Sequence, residues 1–164
     1  MTAARNKMDL ILWRHADAQD GAPDGERALT DQGRDQAATV AAWLKERLPK
    51  DARIVASPAT RARETAAALG LQFDTTSEIG VGATAREVLR AAGWRNAGGV
   101  VVVVGHQPTL GRIAALLLAG AEADWSIKKG ALWWLAWRGR SKGDEVLLRA
   151  VIGPDLAQEN AARD

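Results

Sequence analysis

Apolar positions along this chain follow two rhythms. The first is a short unbroken run: Leu10-Ile11-Leu12-Trp13 early in the chain, and five consecutive valines at 100–104. Short apolar runs bounded by turn residues read as buried strands. The valine run shows no polar alternation, so it predicts a strand covered on both faces, as in a parallel sheet. The first run gives a strand at 9–13; further strands are predicted at 53–56, 131–137 and 145–152, with a weakly strand-like stretch at 73–79. The last two strands are joined by a turn through 139–143.

The second rhythm is helical. Ala37, Val40, Ala41, Leu44 and Leu48 recur at the spacing of one helix face; Thr30 can cap this helix and Pro49 stops it. A second helix opens at Ser57-Pro58, with Ser57 as its cap, and ends at Gly70. Thr84 and Glu87 form a capping box for a helix to about Ala92. A fourth opens at Pro108, carries Leu110, Ile113, Leu116 and Leu117, and ends at Gly120. These stripes read as faces packed on a sheet, and Trp133, Trp134 and Trp137 as core and sheet cover.

The order β-α-β-α-β-α-β-α-β-β predicts an α/β protein: a three-layer α/β/α sandwich whose central sheet is mostly parallel, with an antiparallel edge pair. A single domain is expected over 9–152, with flexible tails at 1–8 and 153–164. The 164 residues suffice for a full core.

Composition removes several function classes. No cysteine is present, which excludes disulfides and a cysteine nucleophile. The net charge is +2 with both signs interspersed, and no Lys- and Arg-rich run supports nucleic-acid binding. No apolar run approaches the roughly 20 residues of a membrane helix. Residues 1–7 carry no signal-peptide core, so a cytoplasmic location is expected.

The chemistry centres on two histidines, the chain's complement. His15 follows the first strand and His106 the valine strand. In open α/β sheets, ligands bind beyond the carboxyl ends of the strands. If the two strands are parallel neighbours, both imidazoles share one crevice, with Arg14 beside them. Arg61 stands in the first turn of the second helix. A cation there opposes the helix dipole, so local propensity did not place it. An exposed ion-paired residue accounts for Arg63.

Four separated pieces carry a resemblance: Arg14-His15; Arg27-Ala28-Leu29-Thr30 with Gly33; Ser57-Pro58 with Arg61, Ala62 and Thr65; and Gly105-His106 with Pro108. In this order they resemble the histidine phosphatase (phosphoglycerate mutase-like) superfamily, over about 9–152. The short chain and the Leu-Thr-x-x-Gly element resemble the SixA-type phosphohistidine phosphatases. The sequence departs at Ala16, where the superfamily has glycine; a left-handed backbone there would strain an alanine.

The resemblance implies a metal-independent, cofactor-free phosphatase. His15 would be its nucleophile, carrying a transient phosphoryl group, with Arg14, Arg61 and His106 around the phosphoryl oxygens. Arg27 is either a phosphate or substrate contact or a loop-anchoring ion-pair residue, and Gln107 is a second candidate substrate contact. Asp17 reads as a supporting residue. Glu78 is the one carboxylate in the region where an acid is expected. An alkoxide leaving group needs a positioned acid, whereas the imidazole released from a phosphohistidine can be protonated by solvent. The SixA resemblance implies a phosphohistidine on a protein, such as a histidine phosphotransfer domain, as substrate, and the leaving-group chemistry points the same way. The alternatives are a small-molecule phosphomonoesterase of the same superfamily, a non-catalytic phospho-ligand binding module, and a metal site, for which only Asp17 is a nearby carboxylate.

Overall fold

Residues 6–158 are described by the computed structural model. Strand β1 (Lys7–Arg14) sends Leu10 and Leu12 to one face of the sheet and Ile11 and Trp13 to the other, all fully buried. Burying one such side chain contributes roughly 1.5–3 kcal/mol, so β1 is strongly fixed. Strand β4 (Gly99–Gly105) divides its valines in the same way. Neither strand has a polar face because neither face of the sheet meets water there.

The other strands are β2 (Arg53–Ala56), β3 (Asp74–Thr75), β5 (Leu132–Arg138) and β6 (Glu145–Ile152). The sheet order is β3-β2-β4-β1-β5-β6. The first four run parallel; β5 is antiparallel to β1, and β6 to β5. Helices α1 (Asp31–Lys45), α2 (Thr60–Ala67) and α5 (Pro154–Ala157) supply the core on one face. Helices α3 (Ala85–Ala92) and α4 (Thr109–Ala119) supply it on the other. The layered α/β/α reading with an antiparallel pair therefore holds. Among the described residues, no helix is long and apolar enough to cross a membrane.

Several boundaries differ from expectation. β1 begins at Lys7, with Met8 buried, and α5 follows β6 with Ala157 buried. Ordered structure thus extends into both expected tails, whose remaining residues, 1–5 and 159–164, lie outside the described residues. The 73–79 stretch is a two-residue strand followed by a 3₁₀ turn (Ser77–Ile79): Ile79 is buried in the core, Phe73 packs half-buried against its other face, and the residues between them are polar. Helix α2 opens at Thr60 rather than at Ser57-Pro58, and the residue before it, Ala59, makes no side-chain cap. The Ser57 hydroxyl is used elsewhere.

The caps at α1 and α3 form as the sequence predicts. Thr30 accepts from the Gly33 N–H at 2.9 Å, and Thr84 and Glu87 complete their box. Gly33 serves a further purpose: a Cβ there would run into the Asp17 carbonyl. The Leu-Thr-x-x-Gly element is therefore where α1 presses against the chain leaving β1.

Candidate active site

The parallel register pairs Arg14 of β1 with Gly105 of β4. His15 and His106 are the next residues on each strand. Paired strands lie about 4.8 Å apart, so two strands ending in step deliver the two side chains side by side. Their ring centroids are 5.2 Å apart, with planes at 58°. The His15 N–H donates to the Gly105 carbonyl at 3.1 Å, which carries the pairing one residue past β1.

Each ring is fixed by a partner. His15 Nδ1 lies 2.8 Å from the Ala16 carbonyl oxygen. A carbonyl only accepts, so Nδ1 carries the proton and Nε2 keeps a free lone pair. His106 Nε2 lies 2.8 Å from Ser57 Oγ, and that oxygen accepts from the Ala59 N–H at 3.1 Å. Ser57 is fully buried. Sequence reasoning spent it on a helix cap, and its position at the end of β2, beside β4, was the signal that could have placed it. Thr65 ties α2 to the same corner, accepting from the Ala16 N–H at 3.1 Å and donating to the Arg61 carbonyl at 2.7 Å. Ala16 adopts no left-handed backbone, since Arg95 is the one non-glycine residue with positive φ among those described. The methyl group is accommodated without strain.

The two arginines approach from different layers. Arg14 Nη1 donates to the Ile127 carbonyl at 2.9 Å. The Arg61 side chain is 3% exposed, and its Nη1 and Nη2 donate to the Asp24 carbonyl (2.8 Å) and Asp24 Oδ2 (3.0 Å). The Nε–H groups of Arg14 and Arg61 are buried and find no hydrogen-bond partner among the described residues. A buried donor without a partner costs about 1–3 kcal/mol. Two at one site mark a place built for an acceptor that the fold itself does not supply.

A hollow of about 370 Å³ is lined by Arg14, His15, Arg61 and His106 together with Asp20, Asp24, Arg27, Gln107 and Lys129. Arg27 lines it and also anchors the loop: its Nε meets Asp24 Oδ1 at 3.1 Å and its Nη1 the Gln19 carbonyl at 3.0 Å. Gln107 reaches the wall, but both ends of its amide are engaged, Nε2 donating to the Trp125 carbonyl (2.8 Å) and Oε1 accepting from the Gly111 N–H (2.7 Å). Glu78 is not brought in. It is exposed on the 3₁₀ turn that buries Ile79, and the lining does not include it. Asp17 is held by Thr30 (2.7 Å) and Lys129 (2.9 Å), a supporting arrangement. Arg63 is exposed. Among the described residues, no three His, Cys, Asp or Glu side chains are grouped so as to hold a metal ion.

The geometry has relatives. The sequence model of the histidine phosphatase superfamily (branch 1) matches residues 10–88. A protein of Picosynechococcus is 34% identical over 123 residues, 69% of this chain and 74% of that one. The chain belongs to the histidine phosphatase superfamily. Membership of that superfamily supports a phosphatase, a hydrolase of phosphate compounds. Within it, the SixA-type resemblance holds: the phosphohistidine phosphatase SixA of Escherichia coli K12 is 29% identical over 126 residues, 69% of this chain and 76% of its own. A Nakamurella multipartitia structure assigned as a SixA superposes with a TM-score of 0.70 at 27% identity, covering 90% of this chain and 98% of that one. The histidine phosphatase fold also carries other substrates: a mycobacterial glucosyl-3-phosphoglycerate phosphatase shares it with a TM-score of 0.62 at 20% identity, over 88% of this chain and 98% of that one.

Both histidines are held neutral. Burial pushes His15 down to about 4; its bond to the Ala16 carbonyl opposes this, and the charges of Arg61, Arg14 and Arg27 add to it. Burial pushes His106 down to about 3, with His15 and Arg61 adding and Asp24 opposing. The ordinary histidine value is about 6.5. As pH falls below 6.5 the unfolded chain binds protons that the folded site refuses. This contribution to stability is therefore complete above 6.5 and is lost progressively down to pH 3–4. In a ¹H–¹³C NMR titration, the ring signals of His15 and His106 are expected to keep neutral-imidazole shifts at about pH 5.5. A midpoint near 6.5 for His15 would contradict the site as described.

Proposed function

We propose that the protein is a metal-independent phosphohistidine phosphatase that works through a phosphohistidine on its own chain. One observation carries the reading: a neutral imidazole with a free Nε2 lies in a hollow where two buried guanidinium N–H groups lack acceptors. The His15 Nε2 lone pair attacks phosphorus. The bond from phosphorus to the substrate's ring nitrogen breaks, and that nitrogen takes a proton from solvent. Water then attacks the phosphoryl group on Nε2, giving inorganic phosphate and regenerating the imidazole. Catalysis of phosphoryl transfer is mostly positioning and charge stabilisation. Arg14, Arg61 and His106 supply the donors around the phosphoryl oxygens.

The carboxylates that line the hollow favour P–N over P–O cleavage. An ester leaving group needs a positioned acid that still holds its proton. Hydrogen bonding to Arg61 holds the Asp24 carboxyl below the usual range, with Arg27 adding to the effect, so Asp24 is ionised and cannot donate. Asp20 is exposed at the rim. Glu78 lies elsewhere, and we do not assign it the acid role. An imidazole leaving group does not need one.

The surroundings suit a phosphohistidine borne on a protein. A second hollow shares Arg14 and Lys129 with the first and adds Trp133, Val151, Pro154 and Leu156, giving a partly apolar surface beside the phosphate site. In this reading the partner is a cytoplasmic phosphohistidine protein such as a histidine phosphotransfer domain. Arg27 contributes by holding the loop and by its charge. Gln107, with its amide engaged, positions the α4 end of the site rather than contacting substrate.

The test is a comparison of phosphate release from a phosphohistidine protein with release from p-nitrophenyl phosphate and sugar phosphates, all in the presence of chelator. The phosphohistidine protein is expected to turn over fastest, with no loss in chelator. Faster turnover of the esters would transfer the assignment to a small-molecule phosphomonoesterase. Binding without turnover of any of them would make the protein a phospho-ligand module.

A further inference from the structure

The loop between β1 and α1 carries a carboxylate into the phosphate site, where like charge should be unwelcome. Asp24 opens a 3₁₀ turn (Asp24–Glu26) in that loop. It takes both terminal nitrogens of Arg61, Nη1 through its carbonyl (2.8 Å) and Nη2 through Oδ2 (3.0 Å). Its other oxygen, Oδ1, accepts from Arg27 Nε at 3.1 Å. The Arg61 side chain is 3% exposed and that of Asp24 55% exposed, so an outer carboxylate grips an inner guanidinium.

A guanidinium is a planar fork with five N–H donors. Because both terminal nitrogens engage one residue, those bonds leave from the end of the group. What remains is the side edge, made by Nε–H and the neighbouring terminal N–H. The Nε–H is the buried donor without a partner. Asp24 and a phosphoryl group can thus be held at once, on different edges of the same plane. Asp24 also offsets a local conflict: Arg61 lies in the first turn of α2, at the positive end of its dipole, where a carboxylate is favourable and a cation is not.

We propose that Asp24 is a positioning residue that aims the side edge of Arg61 at the phosphoryl group, so that the β1–α1 loop is part of the phosphate site. This rests on the reading that Arg61 contacts that group. The alternative is that the carboxylate competes with the phosphoryl group for Arg61, and the two differ in sign.

The experiment measures kcat and KM for a phosphohistidine protein, and tungstate affinity by calorimetry, in the wild type, Asp24→Ala, Asp24→Asn, Arg61→Ala and the double variant Asp24→Ala/Arg61→Ala. A misaimed group can cost on the order of 10²-fold. Asp24→Ala is expected to lower kcat/KM by about that factor, chiefly through kcat, and to weaken tungstate in parallel. Asp24→Asn keeps an acceptor oxygen and is expected to recover most of the loss. In the Arg61→Ala background, removing Asp24 is expected to cost nothing more, since the two act as one unit. Tighter tungstate or faster turnover in Asp24→Ala would overturn the proposal in favour of competition. An equal loss in both backgrounds would overturn it in favour of a general structural role. Should Asp24→Ala fail to fold, Asp24→Asn alone decides: a loss as large as that of Arg61→Ala overturns the proposal. A wild type that binds tungstate but releases no phosphate would defeat the functional reading, while the tungstate affinities would still report on the aiming of Arg61.

Discussion

His15→Ala is expected to abolish both turnover and covalent labelling. With a ³²P-labelled phosphohistidine donor and rapid acid-free quenching, the wild type should carry label on its own chain and the variant none. Phosphate release should fall on the order of 10⁴–10⁶-fold, the scale seen when a nucleophile is removed and the rest of the site stays in place. The fold should survive. The His15 ring bonds its own neighbour's carbonyl, and its backbone N–H, which alanine retains, makes the link to Gly105. A melting curve close to wild type would show that chemistry alone was lost. Label on the variant, or turnover within tenfold of wild type, would remove His15 from the role given to it here.

Arg61→Lys is expected to carry the next largest cost, although charge is conserved. The side chain uses three nitrogens in one plane: two terminal nitrogens hold Asp24, and the buried Nε–H is left without a partner beside the hollow that Arg61 lines. An ammonium is a point charge on a flexible stem and cannot serve both edges. An arginine that stabilises the charge of a transferring phosphoryl group can contribute about 10³–10⁵ in rate. The kcat/KM of Arg61→Lys should therefore drop by roughly 10³-fold, and tungstate affinity should weaken. A loss below tenfold would mean that position 61 supplies charge only, and that the planar fork is incidental.

Much of the architecture was legible in the chain itself. The valine run and the 10–13 run announce strands covered on both faces, because only such strands dispense with polar alternation. The caps at Thr30 and Thr84 were legible for a similar reason: the bonds they make are local. Where a hydroxyl had a distant competitor, local reasoning failed. Ser57 has the composition of a helix cap, yet His106 claims its oxygen from β4. The 73–79 stretch yields only the two-residue β3 because its two apolar residues, Phe73 and Ile79, flank a polar run and make separate contacts rather than a ladder.

The site divides along the same line. His15 and His106 were legible as a pair, since two buried strands that each end in a histidine can meet if they are parallel neighbours. The sequence also singled out Arg61, whose position against the helix dipole needed an explanation. What tertiary structure alone decided is which groups are free to act. Nothing in the order of residues shows that Ser57 meets the His106 ring, or that the Gln107 amide nitrogen is taken by the Trp125 carbonyl. Nor does it show that Glu78 stays out of the lining of the hollow, or that Asp24 grips Arg61. The physical reason is reach. Strand pattern and caps depend on neighbours a few positions away, whereas hydrogen-bond occupancy depends on atoms that the fold brings together from 37 or 49 positions along the chain.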